Sequence, residues 1–421
     1  MMSTTLHDTL VAMAVEARKA SQVLSRWSAE QRSAALTSMA EAMRQESASI
    51  IAANAKDLAE GKKTGIEKAS LDRLELTRAR FDAMCNGLDE IAALPDVVGG
   101  VLDTIQRPNG LSIKKVRVPI GVIGIIYESR PNVTADAASL CIKSANAVIL
   151  RGGSESFHSN RAIVAAMQKG GERAGLPAAA VQLIETTDRS AVRELVQLEG
   201  LVDLVIPRGG ESLIRAVSEM ARVPVIKHYK GVCHTFVDAT ADLQNAIEIC
   251  DNAKCQRPGV CNAMETLLVH QDIAPTFLPR MAERFREKGV VLHGDPASVS
   301  LVPGMKEATE EDWYTEYLDL ILSVRIVPDL SEAIRHINHY GSHHSDAILT
   351  KSDANAEMFL DEVDSATVYV NASTRFTDGF EFGMGAEMGI STDKIHARGP
   401  MGLAELTTYK YVIHGTGQVR P

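Results

Sequence analysis

From Lys114 onward, short apolar, β-branched runs alternate with segments of helical periodicity, and this alternation restricts the fold more than any other feature of the sequence. The first series of expected strands is Val116–Tyr127, Ala147–Leu150, Val181–Glu185 and Leu201–Ile206, with helices at Ala135–Ser144, Glu155–Arg173 and Arg189–Gln197 between them. A second series follows, with strands at His234–Val237, Met264–Val269, Val290–Leu292, Leu320–Val327, Asp346–Thr350 and Thr367–Val370. Strands that are apolar throughout and separated by helices need cover on both faces, which is the pattern of a parallel sheet. A chain of 421 residues is too long for one compact core. The expected fold is therefore α/β, with two Rossmann-type parallel-sheet domains interrupted near Pro224–Gly231.

The flanks read differently. Residues 8 to about 95 are helical in pattern, with Ser28 and Gln31 spaced as a capping box ahead of Ala34, Leu36, Met39, Ala40 and Met43. Pro95 and Gly99-Gly100 close this region, and Asn109-Gly110 signals a hairpin turn. The tail from Ile395 is too short for a core; the alternation in Tyr409–Ile413 suits a strand added to another sheet or subunit. A formal net charge of −10 argues against a general nucleic-acid binder, which needs an excess of Lys and Arg on one face. The amino-terminal residues read as a helix, not a signal peptide, and no apolar run approaches the roughly 18–20 residues that span a bilayer. Six cysteines without CxxC pairs suit free thiols in a reducing compartment, so the expected location is the cytoplasm.

The segment Asn252–Glu265 carries the most chemistry. A helix rich in acids and amides ends near Lys254, and a turn with Pro258 and Gly259 delivers Cys261 just before a strand. A thiol at such a joint sits on backbone outside the ladder, and Lys254 and Arg257 nearby would favour its thiolate. A thiolate can attack an acyl carbonyl and hold the product as a thioester. The other reading is a buried cysteine acting as a small hydrophobe, and spacing alone leaves both open.

Several stretches taken together resemble one family. They are Val118–Val133 (VPIGVIGIIYESRPNV), Ile149–Ser154 (ILRGGS), Pro207–Gly210 (PRGG), the Cys261 segment, Tyr340–Asp346 (YGSHHSD) and Val370–Phe376 (VNASTRF). In this order they resemble the γ-glutamyl phosphate reductases (glutamate-5-semialdehyde dehydrogenases) of the aldehyde dehydrogenase superfamily, over most of the chain. The resemblance implies that Cys261 is the nucleophile and that Cys255 is a bystander. It implies NADPH-dependent reduction of L-glutamyl 5-phosphate to L-glutamate 5-semialdehyde plus phosphate, in proline biosynthesis. Asn132 stands near the place of the superfamily's oxyanion donor, with a turn residue after Pro131 as the alternative. The implied domains are an NADP(H)-binding domain of residues 1–106, 119–228 and 365–395 and a catalytic domain of residues 229–364. Residues 107–118 and 396–421 would form an oligomerisation hairpin and tail.

The loop Pro207–Ser212 follows a strand and opens a helix, and by the same resemblance Gly209 and Gly210 bring backbone N–H groups to a pyrophosphate. Arg151 and Ser154 take the places of the lysine and glutamate that usually handle the adenosine ribose. Arg and Ser suit a 2′-phosphate, which favours NADP(H), whereas Glu155 opposes it. Glu316 falls where a glutamate holds the nicotinamide ribose. Arg375 is the candidate for gripping the substrate carboxylate, with a surface arginine as the alternative. His343 and His344 belong to a signature near the substrate pocket; adjacent histidines on extended backbone face opposite ways, so no metal site is expected. Where hydrolytic relatives carry a catalytic glutamate, the stretch Lys227–Cys233 places His228, with Lys227 and Lys230 beside it. The alternative activity is a hydrolytic NAD(P)-dependent aldehyde dehydrogenase, and the non-enzymatic one an oligomer-forming scaffold. The expected partners are the small-molecule substrate, further copies of this chain and a glutamate 5-kinase, with no nucleic acid or membrane.

Overall fold

The computed structural model describes residues 5–420. Five helices come first: α1 (Leu6–Leu24), α2 (Ala29–Gln45), α3 (Ser47–Thr64), α4 (Lys68–Leu74) and α5 (Arg78–Ala93). The next elements are β1 (Val101–Gln106), β2 (Ser112–Pro119), β3 (Val122–Tyr127), α6 (Pro131–Lys143), β4 (Ala147–Gly152), α7 (Phe157–Arg173), β5 (Val181–Leu183), α8 (Ser190–Leu195), β6 (Leu204–Arg208) and α9 (Glu211–Met220). The second series begins with β7 (Cys233–Val237), α10 (Leu243–Cys255), β8 (Met264–His270), α11 (Ala274–Glu287), β9 (Val291–Gly294), α12 (Pro296–Leu301) and β10 (Lys306–Glu307). It ends with β11 (Ile321–Val327), α13 (Leu330–Tyr340), β12 (Ser345–Leu349), α14 (Asp353–Glu362), β13 (Thr367–Val370), β14 (Ile390–Ser391) and β15 (Gly399–Pro400), before the last strand, β16 (Thr407–His414).

The chain divides into two compact units: residues 1–227, 383–389 and 401–421, and residues 228–382 and 390–400. The first holds a four-stranded parallel sheet in the order β5-β4-β3-β6. The expected strand Val116–Tyr127 is in fact two. Gly121, at φ 132°, ends β2 and starts β3, and a Cβ there would meet the Asp203 carboxylate that accepts from the Val122 N–H. The Ser28–Gln31 capping box forms at the start of α2.

β1, β2 and β16 make a separate antiparallel sheet, in which β16 pairs with β2 from Thr407↔Pro119 to His414↔Ser112. The tail thus adds its strand to a hairpin of its own chain, and that hairpin reaches back to Val101, not only to residue 107.

The second unit is built on a seven-stranded parallel sheet, β10-β9-β11-β8-β7-β12-β13. Neighbouring residues of one strand serve opposite faces, as the pleat requires. Val237 and Leu267 join Phe277, Met281 and Phe285 on one side, whereas Phe236 and Leu268 join Ile334, Ile337 and Phe359 on the other. Burying each of these side chains contributes on the order of 1.5–3 kcal/mol. Residues 365–395 were expected with the cofactor-binding domain. Of these, 365–382 and 390–395 lie in the second unit, where β13 hydrogen-bonds to β12 from Ser345↔Thr367 to Ile348↔Val370.

Candidate functional site

In the second unit the side chains of interest gather at the amino ends of the strands. α10 ends at Cys255, and a turn through Pro258 and Gly259 carries Cys261, partly exposed, to the start of β8. The strand that precedes it in sequence, β7, is entered through Gly231. A Cβ on Gly231 would collide with the Cys261 carbonyl, so only glycine lets these two segments meet backbone to backbone. The Gly231 N–H donates to Glu316 Oε1 at 2.9 Å, and the buried Cys233 thiol donates to the Cys261 carbonyl at 3.2 Å. Glu316, expected on a nicotinamide ribose, therefore has one carboxylate oxygen on the strand entry beside Cys261.

Two histidines approach the thiol. One ring nitrogen each of His228 and His344, together with Cys261 Sγ, lie within 4.8 Å of one another. His228 Nδ1–H donates to the Ile390 carbonyl at 3.0 Å, which fixes the tautomer and leaves the lone pair on Nε2. His344 is fully buried at the start of β12, with Nδ1 2.9 Å from Ser345 Oγ. Its Nε2 has no hydrogen-bond partner, and burial, with His228 next to it, pushes its pKa down to about 3. The imidazole is neutral. A line of hydroxyls continues from it: Ser345 Oγ lies 2.6 Å from Thr377 Oγ1, which lies 2.8 Å from the Tyr369 hydroxyl. His343, at φ 60°, turns away and donates from Nδ1 to the Asp364 carbonyl at 2.6 Å. The structure thus places His344, and not His343, beside Cys261.

Arg375 and Asn262 tie the loop after β13 to the cysteine turn. The Asn262 amide donates to the Thr377 carbonyl at 2.8 Å, and Arg375 donates to the Asn262 side-chain oxygen and, from Nε, to Gln256 Oε1 at 2.9 Å. Lys254, expected to favour the thiolate, has an acidic partner of its own. It is buried completely and paired at 2.6 Å with the equally buried Glu265, whose pKa burial raises to about 7. Arg257 is exposed. Burial and the Asp251 carboxylate push Cys255 up to about 11, so it is a neutral thiol.

In the first unit the expected cofactor residues lie at the carboxyl ends of β4 and β6. Gly209 and Gly210 lead from β6 into α9, and α9 has no side-chain cap of its own. The Gly210 N–H instead donates to Glu128 Oε2 at 3.0 Å. This carboxylate shows that the N–H group takes an anion, and beyond Gly210 there is open space. Arg151 is buried and donates to the carbonyls of Gly152 at 2.8 Å and Thr187 at 3.2 Å. Ser154 is exposed at the start of a 3-10 turn. Glu155, the residue that opposed a 2′-phosphate, has its carboxylate engaged by the Ser129 N–H at 2.6 Å and hydroxyl at 2.7 Å. Asn132, in the first turn of α6, donates to Asp136 Oδ2 at 2.9 Å, and burial raises Asp136 to about 6.

Sequence reasoning missed Gly231, Cys233 and Glu128. The first two lie within the Lys227–Cys233 stretch that drew attention to His228, but their closeness to Cys261 is a property of the sheet. Glu128 sits in the VPIGVIGIIYESRPNV stretch, where its charge among small and apolar residues was the available signal.

The sequence pattern of the aldehyde dehydrogenase family matches residues 5–319. A γ-glutamyl phosphate reductase from Geotalea daltonii is 54% identical over 416 residues, which cover 99% of this chain and 100% of that one. The crystal structure of the γ-glutamyl phosphate reductase from Thermotoga maritima is 47% identical with a TM-score of 0.96, covering 98% of this chain and 100% of the other. The corresponding structure from Saccharomyces cerevisiae is 34% identical with a TM-score of 0.55, covering 98% and 99%.

Proposed function

Because this chain belongs to the aldehyde dehydrogenase family, and within it aligns end to end with γ-glutamyl phosphate reductases, we propose that it reduces L-glutamyl 5-phosphate to L-glutamate 5-semialdehyde in proline biosynthesis. The observation that carries this reading is the 54% identity over 99% of the chain to a relative of that name. Cys261 is the nucleophile. Of the two imidazoles near its thiol, His344 is too weak a base to be useful, which leaves His228 Nε2 to take the proton. Sulfur then bonds to the acyl carbon, and phosphate leaves with the electron pair of the C–O bond. The Cys261 backbone N–H and, as the family resemblance implies, the Asn132 amide support the charge that builds on the carbonyl oxygen. The family's nicotinamide cofactor supplies hydride to the thioester carbon when bound. Collapse of the thiohemiacetal returns the C–S electron pair and a proton to sulfur and frees the semialdehyde.

NADPH is the cofactor of this proposal. Gly209 and Gly210 would hold its pyrophosphate, and Arg151 and Ser154 would take its 2′-phosphate, with Glu155 restrained by Ser129. Glu316 is assigned to the nicotinamide ribose, Arg375 to the substrate carboxylate, and His343 and His344 to the signature beside the substrate. Among the described residues no helix is long and apolar enough to cross a membrane, and the proposed location is the cytoplasm. The sheet of β1, β2 and β16 exposes Val101, Ile105, Tyr411 and Ile413, an apolar surface suited to pairing with another copy. A glutamate 5-kinase that hands over the labile acyl phosphate remains the expected second partner.

The test is run in reverse. NADP+ reduction with glutamate semialdehyde should depend on inorganic phosphate or arsenate and nearly vanish without either. Robust, phosphate-independent formation of free glutamate would instead favour the hydrolytic aldehyde dehydrogenase.

A further inference from the structure

The cluster around Cys261 has a second chemical capacity that reduction does not use. We infer that His228, Cys261 and His344 form a three-ligand site for a thiophilic divalent cation, Zn2+ above all, whose occupancy reversibly blocks the enzyme. One ring nitrogen of each histidine and the sulfur lie within 4.8 Å of one another. Around a tetrahedral Zn2+, with bonds of roughly 2.0–2.3 Å, such atoms sit about 3.3–3.7 Å apart, a contraction within reach of side-chain rotation. The shell outside these atoms already has the form that metal-bound histidines require. Each has its Nδ1 against a neighbouring oxygen, the Ile390 carbonyl for His228 and the Ser345 hydroxyl for His344, which holds the ring orientation. His344 Nε2 is fully buried without a hydrogen-bond partner, a cost that a metal bond would relieve.

The sequence pointed away from a metal because adjacent histidines diverge. The fold uses only His344 and recruits His228 from the segment before β7, so the adjacent pair is not the chelating pair. Binding exchanges the thiol proton for the cation: Cys261–SH loses H+ to solvent, an S–Zn bond forms, both imidazoles add their lone pairs, and water takes the fourth position. The sulfur pair is then unavailable to an acyl carbon, so inhibition should compete with the acyl phosphate. This last consequence rests on the proposed role of Cys261; the metal site itself does not.

Co2+ is the probe, because its thiolate complexes absorb visibly. The chelator-treated full chain, titrated with Co2+ in phosphate-free buffer, should take up one ion per chain with a thiolate-to-cobalt charge-transfer band and intense tetrahedral d–d bands. Zn2+ should displace both and stop NADPH oxidation over the same concentration range. Cys261→Ser should lose the charge-transfer band, His344→Gln should weaken binding at least tenfold, and Cys255→Ser should bind like wild type. His228→Gln, at a partly exposed side chain, should also weaken binding tenfold and serves if His344→Gln folds poorly. A band that survives Cys261→Ser, unchanged affinity in both histidine variants, or no band at all overturns the inference. A full set of bands in a protein without reductase activity supports the metal site and counts against the functional reading alone.

Discussion

Both units are built on parallel sheets, yet their chemistry sits at opposite strand ends. In the first unit the candidate cofactor residues lie at the carboxyl ends of β4 and β6, where the next helices begin. A helix start offers unpaired N–H groups and partial positive charge, and the Gly210 N–H there already holds the Glu128 carboxylate. In the second unit His228 precedes β7, Cys261 precedes β8 and His344 precedes β12, all at amino ends. Helices finish at those ends, α10 at Cys255 and α13 at Tyr340, and they present carbonyls. Reactive thiolates are often stabilised by a helix amino terminus. Cys261 follows a helix carboxyl end and Lys254 is paired with Glu265; the ring nitrogens near this thiol are those of His228 and His344. The two ends thus divide by chemistry: backbone N–H groups at the first, side-chain nitrogens beside a thiol at the second.

The sharpest way to break this division is Cys261→Ser. Turnover should fall by roughly a thousandfold or more, because a hydroxyl is a far weaker nucleophile than a thiolate, while NADPH fluorescence titration gives nearly wild-type binding. Turnover retained in Cys261→Ser but lost in Cys255→Ser would place the nucleophile elsewhere. Gly231→Ala comes next. Its methyl group must push the Cys261 carbonyl away, and a misplacement of about 1 Å costs on the order of a hundredfold in kcat. NADPH affinity should barely move; equal losses in both would mean that the strand entry supports the whole chain.

A smaller effect concerns pH. Burial pushes His344 down to about 3 and His336 to about 2, both in the second unit. An unfolded histidine titrates near 6.5. Above that pH both states are neutral and the full stability is present. As pH falls from 6.5 towards 3, the unfolded chain binds protons that the folded one refuses, and stability drops. The slope should reach about 1.4 kcal/mol per pH unit for each histidine. Urea unfolding at pH 7.5, 6.0 and 5.0 measures it, and His344→Gln should be visibly less steep; identical profiles would show that this ring titrates in the fold. The smallest effect belongs to the first unit. Glu128→Ala removes the carboxylate that occupies the Gly210 N–H, and NADPH should bind roughly two- to fivefold more tightly, the worth of a modest hydrogen-bond exchange. Weaker binding would mean that Glu128 contacts the cofactor itself.

How far the sequence reached differs between these regions. Strand and helix periodicity located nearly every central strand, since apolar patterning is a local property that burial enforces residue by residue. It misjudged Val116–Tyr127, where one glycine at φ 132° separates two strands that periodicity alone joins. Periodicity put Thr367–Val370 in the second series, where β13 lies; it was the family resemblance that assigned residues 365–395 to the other domain. Cys261 was legible because Pro258 and Gly259 announce an irregular turn before an apolar strand, and the family resemblance singled it out.

What surrounds Cys261 was not legible. By itself the sequence determined the α/β class, the two series of strands and the position of Cys261 in a turn, and it singled out His343 and His344. Only the tertiary structure decided which of those histidines meets the thiol, that Lys254 is neutralised by Glu265, that Gly231 must lack a side chain, and that Glu128 covers the Gly210 N–H. The reason is physical. Period and turn chemistry act over a few residues, whereas a hydrogen bond or a collision depends on distances set by strand order, and in this sheet β7, β8 and β12 bring together segments far apart in the chain.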